Sequence, residues 1–137
     1  MNILFFIITK DKTQFVLSSF SLRQTLEKME SCGYTSLPII NDKGEYISTI
    51  TEGDILRYIK KNNNLTLKSS EKVNVLDVEV KKVVKSIKIY SNMEDLIDIA
   101  LDQNFVPVVD DSNIFIGIIT RRAIISHFAN EIKLKEK

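Results

Sequence analysis

The stretch CGYTSLPIINDKGEYISTITEGDIL occupies residues 32–56, and a degraded copy of it, NFVPVVDDSNIFIGIITRRAII, occupies residues 104–125. Pro38 of the first copy and Pro107 of the second lie 69 residues apart. After its proline, each copy has an apolar run, a polar turn and a second apolar run, which is the pattern of a β-hairpin. We therefore interpret the chain as two copies of one small unit.

Each copy also has a predicted helix on both sides of its hairpin. The sequences SLRQ at residues 21–24 and SNME at residues 91–94 place a serine three residues before a glutamine or glutamate. This is the capping-box pattern, so the serine of each sequence is the predicted helix start. Thr51 and Thr120, again 69 residues apart, are expected to begin the helix that follows each hairpin.

The repeat pattern divides the chain into three parts. Residues 1–62 are expected to form the first repeat, including an N-terminal strand, and residues 73–137 the second. Residues 63–72 are polar and weakly patterned, which predicts a mobile linker. The apolar run from Ile3 to Ile8 is too short for a membrane helix, which needs about 20 residues. It is expected to be a buried strand or a dimer contact.

The composition excludes several classes of protein. The 44% hydrophobic and 27% charged residues are typical of a soluble globular chain. The net charge of +1 gives no general electrostatic attraction to nucleic acid. Cys32 is the single cysteine and no secretory leader is visible, so we expect a cytoplasmic protein without disulfides.

No sequence motif indicates an enzyme. A nucleophile elbow, a Walker loop, a GxGxxG sequence and a zinc-ligand spacing are all missing from the sequence. His127 is the single histidine and has no second histidine or cysteine with which to complete a metal site. We therefore expect neither catalysis nor a bound metal.

The two helix starts after the hairpins differ in charge. TEGD at residues 51–54 has an aspartate at the capping-box position, whereas TRRA at residues 120–123 lacks the acid and places two arginines in the first helical turn. Cations are unfavourable at the positive end of a helix dipole, so Arg121 and Arg122 should have negative partners. Those partners are either nearby acids or the phosphate of a ligand, which arginine binds well. The acids available are Asp110, Asp111 and Glu131.

The segment before each hairpin also differs between the copies. Tyr34-Thr35-Ser36 can offer hydroxyl and backbone groups to a base, although Tyr34 is also a candidate packing residue at the corner between helix and strand. The matching segment Asn104-Phe105-Val106 is less polar. Two ligand clefts, if present, should not be equivalent.

These paired sequences, GYTSLPIINDKGEYISTITEGDIL and FVPVVDDSNIFIGIITRRAII, resemble tandem CBS domains, also called a Bateman module. The resemblance covers nearly the whole chain. It implies an α+β (α/β) fold, namely a CBS-domain pair of two β-α-β-β-α repeats with pseudo-twofold symmetry. It further implies a homodimer and clefts that bind adenine nucleotides.

The resemblance also implies roles for individual residues. Tyr34, Thr35 and Ser36 match the family segment that contacts the base. Thr51 and Asp54 match a threonine and a ribose-binding aspartate.

The second copy departs from the family pattern at one important position. Thr120 matches the family threonine, but Ala123 stands where the ribose-binding aspartate is expected. In the first copy, Ser48 replaces a glycine that Gly117 keeps in the second.

The string FIGIITRR at residues 115–122 is similar to stand-alone CBS proteins of Gram-positive bacteria that bind cyclic di-AMP. In those proteins the paired arginines meet phosphate, and Lys12 matches a lysine of the same pocket. The candidate ligand-binding residues are therefore Lys12, Tyr34, Thr35, Ser36, Pro38, Thr51, Asp54, Thr120, Arg121 and Arg122.

Two functions are compatible with this pattern. The first is a regulatory sensor that binds AMP, ATP or cyclic di-AMP as a ligand and acts noncovalently on a partner enzyme. It would need no cofactor and would bind neither nucleic acid nor membrane. The second is a constitutive dimeric module for protein–protein interaction, with empty clefts and internally paired arginines.

Overall fold

The computed structural model describes residues Met1–Glu136, so residue 137, the last of the predicted second repeat, lies outside the described residues. The strands are β1 (Ile8–Thr9), β2 (Val16–Leu17), β3 (Ser36–Ile40), β4 (Tyr46–Thr51), β5 (Ile87–Lys88), β6 (Phe105–Val109) and β7 (Phe115–Thr120). The α-helices are α1 (Leu22–Cys32), α2 (Glu52–Lys61), α3 (Met93–Ala100) and α4 (Arg121–Lys135). Both predicted hairpins are confirmed, because β3–β4 and β6–β7 pair antiparallel.

The chain divides into two compact units. We call Gln14–Val83 the first unit, and Met1–Thr13 together with Val84–Lys137 the second unit. The first contains a sheet in the order β2-β3-β4, and the second a sheet in the order β1-β7-β6-β5. In each unit a short strand lies parallel to the first strand of the hairpin, and the sheet and helices enclose an apolar core.

The N-terminal apolar run is not the strand predicted from the sequence. Residues Ile3–Phe6 form a short 3₁₀-helix, capped by the Asn2 side chain, which accepts a hydrogen bond from the Leu4 N–H at 2.9 Å. Ile3 and Phe6 are buried whereas Phe5 is exposed. This three-residue spacing is the repeat of a 3₁₀-helix, in which every third side chain faces the same way.

The strand that follows this turn pairs outside the repeat to which the sequence assigned it. β1 runs antiparallel to β7, with Thr9 opposite Gly117, so residues 1–13 fold with the second unit. A Cβ at position 117 would lie 2.1 Å from the Ile8 carbonyl oxygen, and only glycine therefore permits this pairing. Ser48 lies on β4, which is an edge strand of its sheet. In the described residues no strand equivalent to β1 pairs with β4 there, so the serine side chain has room. This explains why serine is tolerated in the first copy.

The predicted mobile linker at residues 63–72 is instead a folded part of the first unit. Ser69–Lys72 forms a 3₁₀-helix, and Ser70 is buried with its hydroxyl bonded to a backbone carbonyl. Glu71 forms an ion pair with Arg23 of α1. The polar composition that suggested a linker supplies these local bonds and a contact with α1.

One of the two predicted helix caps is displaced by a residue. The Ser21 capping box is confirmed, with both of its bonds present. In the second copy the cap is Asn92 rather than Ser91, and the Asn92 side chain accepts a hydrogen bond from the Asp95 N–H at 2.9 Å. The Ser91 N–H is already bonded to the Lys88 carbonyl in the turn after β5, and asparagine caps a helix as well as serine does.

Candidate functional site

The start of α4 is fixed by the end of the β6–β7 hairpin. Thr120 ends β7 and caps α4, because its hydroxyl accepts a hydrogen bond from the Ala123 N–H at 3.1 Å. The Arg121 N–H donates to the Asn104 carbonyl at 2.8 Å, which joins the helix to the residue before β6. The first turn of α4 is thus held at the C-terminal end of β7, with its positive dipole end beside two arginines.

Arg121 is bonded to backbone carbonyls at the end of α3. Its Nε donates to the carbonyl oxygens of Ala100 at 2.7 Å and Gln103 at 3.1 Å, and its Nη2 to that of Leu101 at 3.4 Å. The carbonyls that follow a helix lack internal partners and carry its negative dipole end, so a guanidinium group is favourable there. Arg121 therefore neutralises a helix end, and none of the three acids suggested by the sequence is its partner among these contacts.

Arg122 has a different environment from its neighbour. Its side chain is exposed, and within residues 1–136 it has no hydrogen bond or ion pair. The N–H groups of Arg121 and Ala123 in the first turn of α4 are already bonded, so it is the positive end of the helix dipole that adds to the charge of Arg122. A free cation at the positive end of a helix is unfavourable by a few tenths of a kcal/mol and can bind an anion. The structure thus separates the two arginines that the sequence treated as one pair.

Sequence reasoning missed Gln103. It is only 8% exposed, and its side-chain amide bonds to the Lys85 N–H at 2.7 Å, to the Lys85 carbonyl at 3.0 Å and to the Phe105 carbonyl at 3.1 Å. The backbone carbonyl of Gln103 accepts a hydrogen bond from the Arg121 Nε.

The structure pairs Ser36 with Thr51 and Phe105 with Thr120, so Tyr34 corresponds to Gln103. The match of Tyr34 to Asn104 made from the sequence was therefore one residue out. The available signal was the constant 69-residue spacing, which places a glutamine at the position of Tyr34.

In the first unit, Thr51 and Asp54 form the predicted capping box at the start of α2. The Asp54 N–H donates to the Thr51 hydroxyl at 3.1 Å, and the Thr51 N–H donates to the Asp54 carboxylate at 3.0 Å. That carboxylate also accepts bonds from the Lys81 N–H at 3.2 Å and from Arg57 at 2.5 Å. Asp54 is 2% exposed, so protein donors occupy a buried carboxylate that the resemblance assigns to ribose.

These bonds keep Asp54 ionised. Burial acts to raise the pKa of Asp54, but the hydrogen bonds from the Lys81 and Thr51 N–H groups and from Arg57 outweigh it. The pKa of Asp54 is therefore lower than the ordinary value for an aspartate.

The predicted base-contacting segment lies beside the start of α2. The Thr35 carbonyl accepts a hydrogen bond from the Glu52 N–H at 2.9 Å, and Ser36 pairs with Thr51 across the hairpin. Tyr34 is 51% exposed, so it does not pack fully at the corner between helix and strand. The structure thus brings Thr35, Ser36 and Thr51 together and leaves the tyrosine ring accessible.

Pro38 in the first unit and Lys12 in the second do not lie with the other predicted site residues of their own unit. Pro38 is buried in β3 opposite Thr49. Lys12 is exposed, with no hydrogen bond or ion pair in the described part of the chain. It follows β1, and because β1 is antiparallel to β7, the backbone beyond Thr9 runs away from the β7 end that carries Arg122.

His127 packs among aromatic rings. Its imidazole lies edge-on to the rings of Phe5, Phe6 and Phe128, with centroid distances of 5.3 to 5.5 Å, and its Nε2 lies 3.1 Å from Glu131. Residues 1–136 contain no cluster of three or more histidine, cysteine or acidic side chains suited to a metal ion. No helix in the same residues is both long and apolar enough to cross a membrane.

Comparison with solved structures finds the same fold. A crystal structure of CbpB in complex with c-di-AMP (cyclic di-AMP) matches with a TM-score of 0.87 and 22% identity, over 100% of this chain and 91% of that chain. Listeria monocytogenes CbpB in complex with c-di-AMP has a TM-score of 0.82 and 26% identity, over 93% and 95%. A hypothetical conserved protein from Geobacillus kaustophilus has a TM-score of 0.85 and 20% identity, over 96% and 98%.

The amino-acid sequence alone shows the family of this chain. No curated protein matches it, but a family model does. The family model described as the CBS domain matches residues 8–61 and again residues 75–130, one match for each hairpin and its flanking helices. The chain therefore belongs to the CBS-domain family and contains two copies of the domain.

Proposed function

We propose that this chain is a regulatory module that binds an adenine nucleotide, namely cyclic di-AMP. The observation that carries this proposal is the exposed guanidinium group of Arg122, which has no partner within residues 1–136 and stands at the positive end of α4. An arginine at the positive end of a helix dipole is a favourable site for a phosphate, because the guanidinium group supplies directed hydrogen bonds and both supply positive charge.

The similarity to CbpB supports this choice of ligand. The Listeria monocytogenes protein was crystallised with c-di-AMP, is 26% identical to this chain and aligns over nearly its whole length. A ligand of the same class would bring phosphate groups to the start of α4.

The residues at the position of the ribose-binding aspartate, Asp54 and Ala123, favour a cyclic dinucleotide over AMP or ATP as the ligand. Mononucleotides carry a ribose with adjacent 2′ and 3′ hydroxyls. An aspartate can accept a hydrogen bond from each of these two hydroxyls. In this chain Asp54 already accepts bonds from Lys81, Thr51 and Arg57, and Ala123 replaces the second aspartate. The 3′ oxygens of cyclic di-AMP are esterified, so its recognition depends less on a carboxylate and more on phosphate contacts.

The response is proposed to pass to a partner enzyme by noncovalent contact in the cytoplasm, with the module acting as a homodimer. Apolar surface supports an association of this kind. A groove of about 640 Å³ between α1 and α2 includes Leu26, Leu56 and Ile59, of which Leu56 is 54% exposed. A ligand that binds one associated state more tightly than another would shift the balance between them.

Isothermal titration calorimetry with cyclic di-AMP, AMP and ATP tests the ligand assignment. We expect cyclic di-AMP to bind most tightly, and Arg122→Ala to weaken its binding by about tenfold to a hundredfold, as expected for a lost charge-assisted hydrogen bond. Lys133→Ala is the matched control, because it removes one positive charge from the last turn of the same helix. It should leave the affinity unchanged.

Two results would contradict the proposal. If none of the three nucleotides binds, the alternative of a constitutive interaction module is favoured. If cyclic di-AMP binds equally well to the wild type and to Arg122→Ala, the proposed phosphate site is wrong even though the ligand is right.

A further inference from the structure

Gln103 is a buried glutamine that holds a distant backbone segment of the second unit. Its Oε1 accepts a hydrogen bond from the Lys85 N–H, and its Nε2 donates to the carbonyls of Lys85 and Phe105, all between 2.7 and 3.1 Å. One side-chain amide thus satisfies both backbone groups of Lys85, as a neighbouring β-strand would.

Arg121 connects the turn that contains Gln103 to α4. Its guanidinium group bonds to the carbonyls of Ala100, Leu101 and Gln103, and its backbone N–H bonds to Asn104. The first residue of α4 is therefore attached to four positions of one turn. The next residue along the helix is Arg122.

The first unit builds the equivalent junction without these side-chain bonds. The position equivalent to Gln103 is Tyr34, which is 51% exposed. α2 begins at Glu52, whose N–H donates to the Thr35 carbonyl at 2.9 Å. This bond is the equivalent of the one from the Arg121 N–H to the Asn104 carbonyl.

Within the described residues, the bonds of Gln103 and Arg121 occur only in the unit whose helix start carries the exposed Arg122. The start of α2 is held instead by the bonds of Asp54 to Lys81 and Arg57, so the fold does not require this particular network.

We propose that Gln103 is a positioning residue for ligand binding. It holds the turn to which Arg121 attaches, and it thereby fixes the direction in which the Arg122 side chain leaves α4. A prepositioned side chain binds more tightly because less conformational freedom is lost when the ligand arrives. This inference rests on the proposed function and adds a link from the phosphate site to the backbone at Lys85.

A double-mutant cycle on cyclic di-AMP affinity tests this link. Gln103→Met keeps the side-chain length but removes the amide, and it should weaken binding by about three- to tenfold, the usual effect of ordering a side chain on binding. In the Arg122→Ala background the same change should alter affinity less than twofold, because the residue it positions is gone. Thr49→Val, which removes a buried hydrogen bond in the first unit, should leave affinity unchanged in both backgrounds.

The outcomes separate this inference from the proposed function. Unchanged affinity in Gln103→Met, or equal losses in both backgrounds, would overturn the positioning role while leaving the phosphate site intact. Absence of cyclic di-AMP binding by the wild type would overturn the proposed function, and this inference with it.

Amide hydrogen exchange provides a second test, which does not require the low affinity of the Arg122→Ala variant to be measured. In the wild type, saturating cyclic di-AMP should slow exchange of the Lys85 N–H, because the ligand stabilises the network to which that N–H donates. The slowing should be lost in Gln103→Met. Exchange at Lys85 that does not respond to the ligand in the wild type would overturn the proposed link.

Discussion

The Arg121 Nε atom donates a hydrogen bond to the Ala100 carbonyl oxygen at 2.7 Å, which joins the first residue of α4 to the last residue of α3. The adjacent Arg122 is exposed and makes no such bond in the described residues. Two consecutive arginines thus have separate tasks, one in stability and one in the proposed ligand binding.

Substitution of each arginine should therefore have a different effect on stability. Arg121→Ala leaves carbonyls at the end of α3 without a donor and should lower the free energy of unfolding by about 1–3 kcal/mol. Arg122→Ala should change it by less than about 0.5 kcal/mol, because the side chain is at the surface. Urea unfolding of the two variants measures both values. Equal losses would show that Arg122 also has a structural partner.

The close approach of β1 to Gly117 makes this glycine sensitive to substitution. Gly117→Ala places a Cβ 2.1 Å from the Ile8 carbonyl oxygen, so β1 must shift, at a cost of about 1–3 kcal/mol. Ser48→Ala, at the equivalent position of the first unit, should cost less than about 0.5 kcal/mol. Thermal unfolding compares the two variants. A Gly117→Ala protein as stable as the wild type would mean that β1 is not held against β7 in solution.

Asp54 should contribute to stability in a pH-dependent way. Its pKa is lower in the folded protein than the ordinary value, so its contribution is present above about pH 4 and is lost as the pH falls through the folded-state pKa. Asp54→Asn should therefore cost about 1–3 kcal/mol at pH 7 and less in acid. Urea unfolding at pH 7 and near pH 3 tests the difference. A cost that does not change with pH would contradict the assigned role of the carboxylate.

The two capping assignments can be tested by alanine substitution. Ser21→Ala and Asn92→Ala should each lower stability by about 1 kcal/mol, because each removes the acceptor for a first-turn N–H. Ser91→Ala should have little effect, since the cap of α3 is Asn92. Circular dichroism during thermal unfolding provides the comparison. If Ser91→Ala is the costlier of the two changes in the second copy, α3 begins at the residue suggested by the sequence.

The sequence by itself determined the features that depend on neighbours in the chain. The 69-residue repeat identified both hairpins, and the capping pairs Ser21 with Gln24 and Thr51 with Asp54 are present in the structure. These predictions succeed because hairpin turns and helix caps are formed by residues within a few positions of each other.

Only the tertiary structure decided which partners the remaining polar groups have. The sequence treated Arg121 and Arg122 alike, assigned the N-terminal strand to the first repeat and gave no role to Gln103. The carbonyls that bind Arg121 belong to a turn about 20 residues away, and β1 pairs with a strand more than 100 residues further along the chain. Such contacts depend on how the elements pack, and packing is set by the whole chain and not by any local pattern of residues.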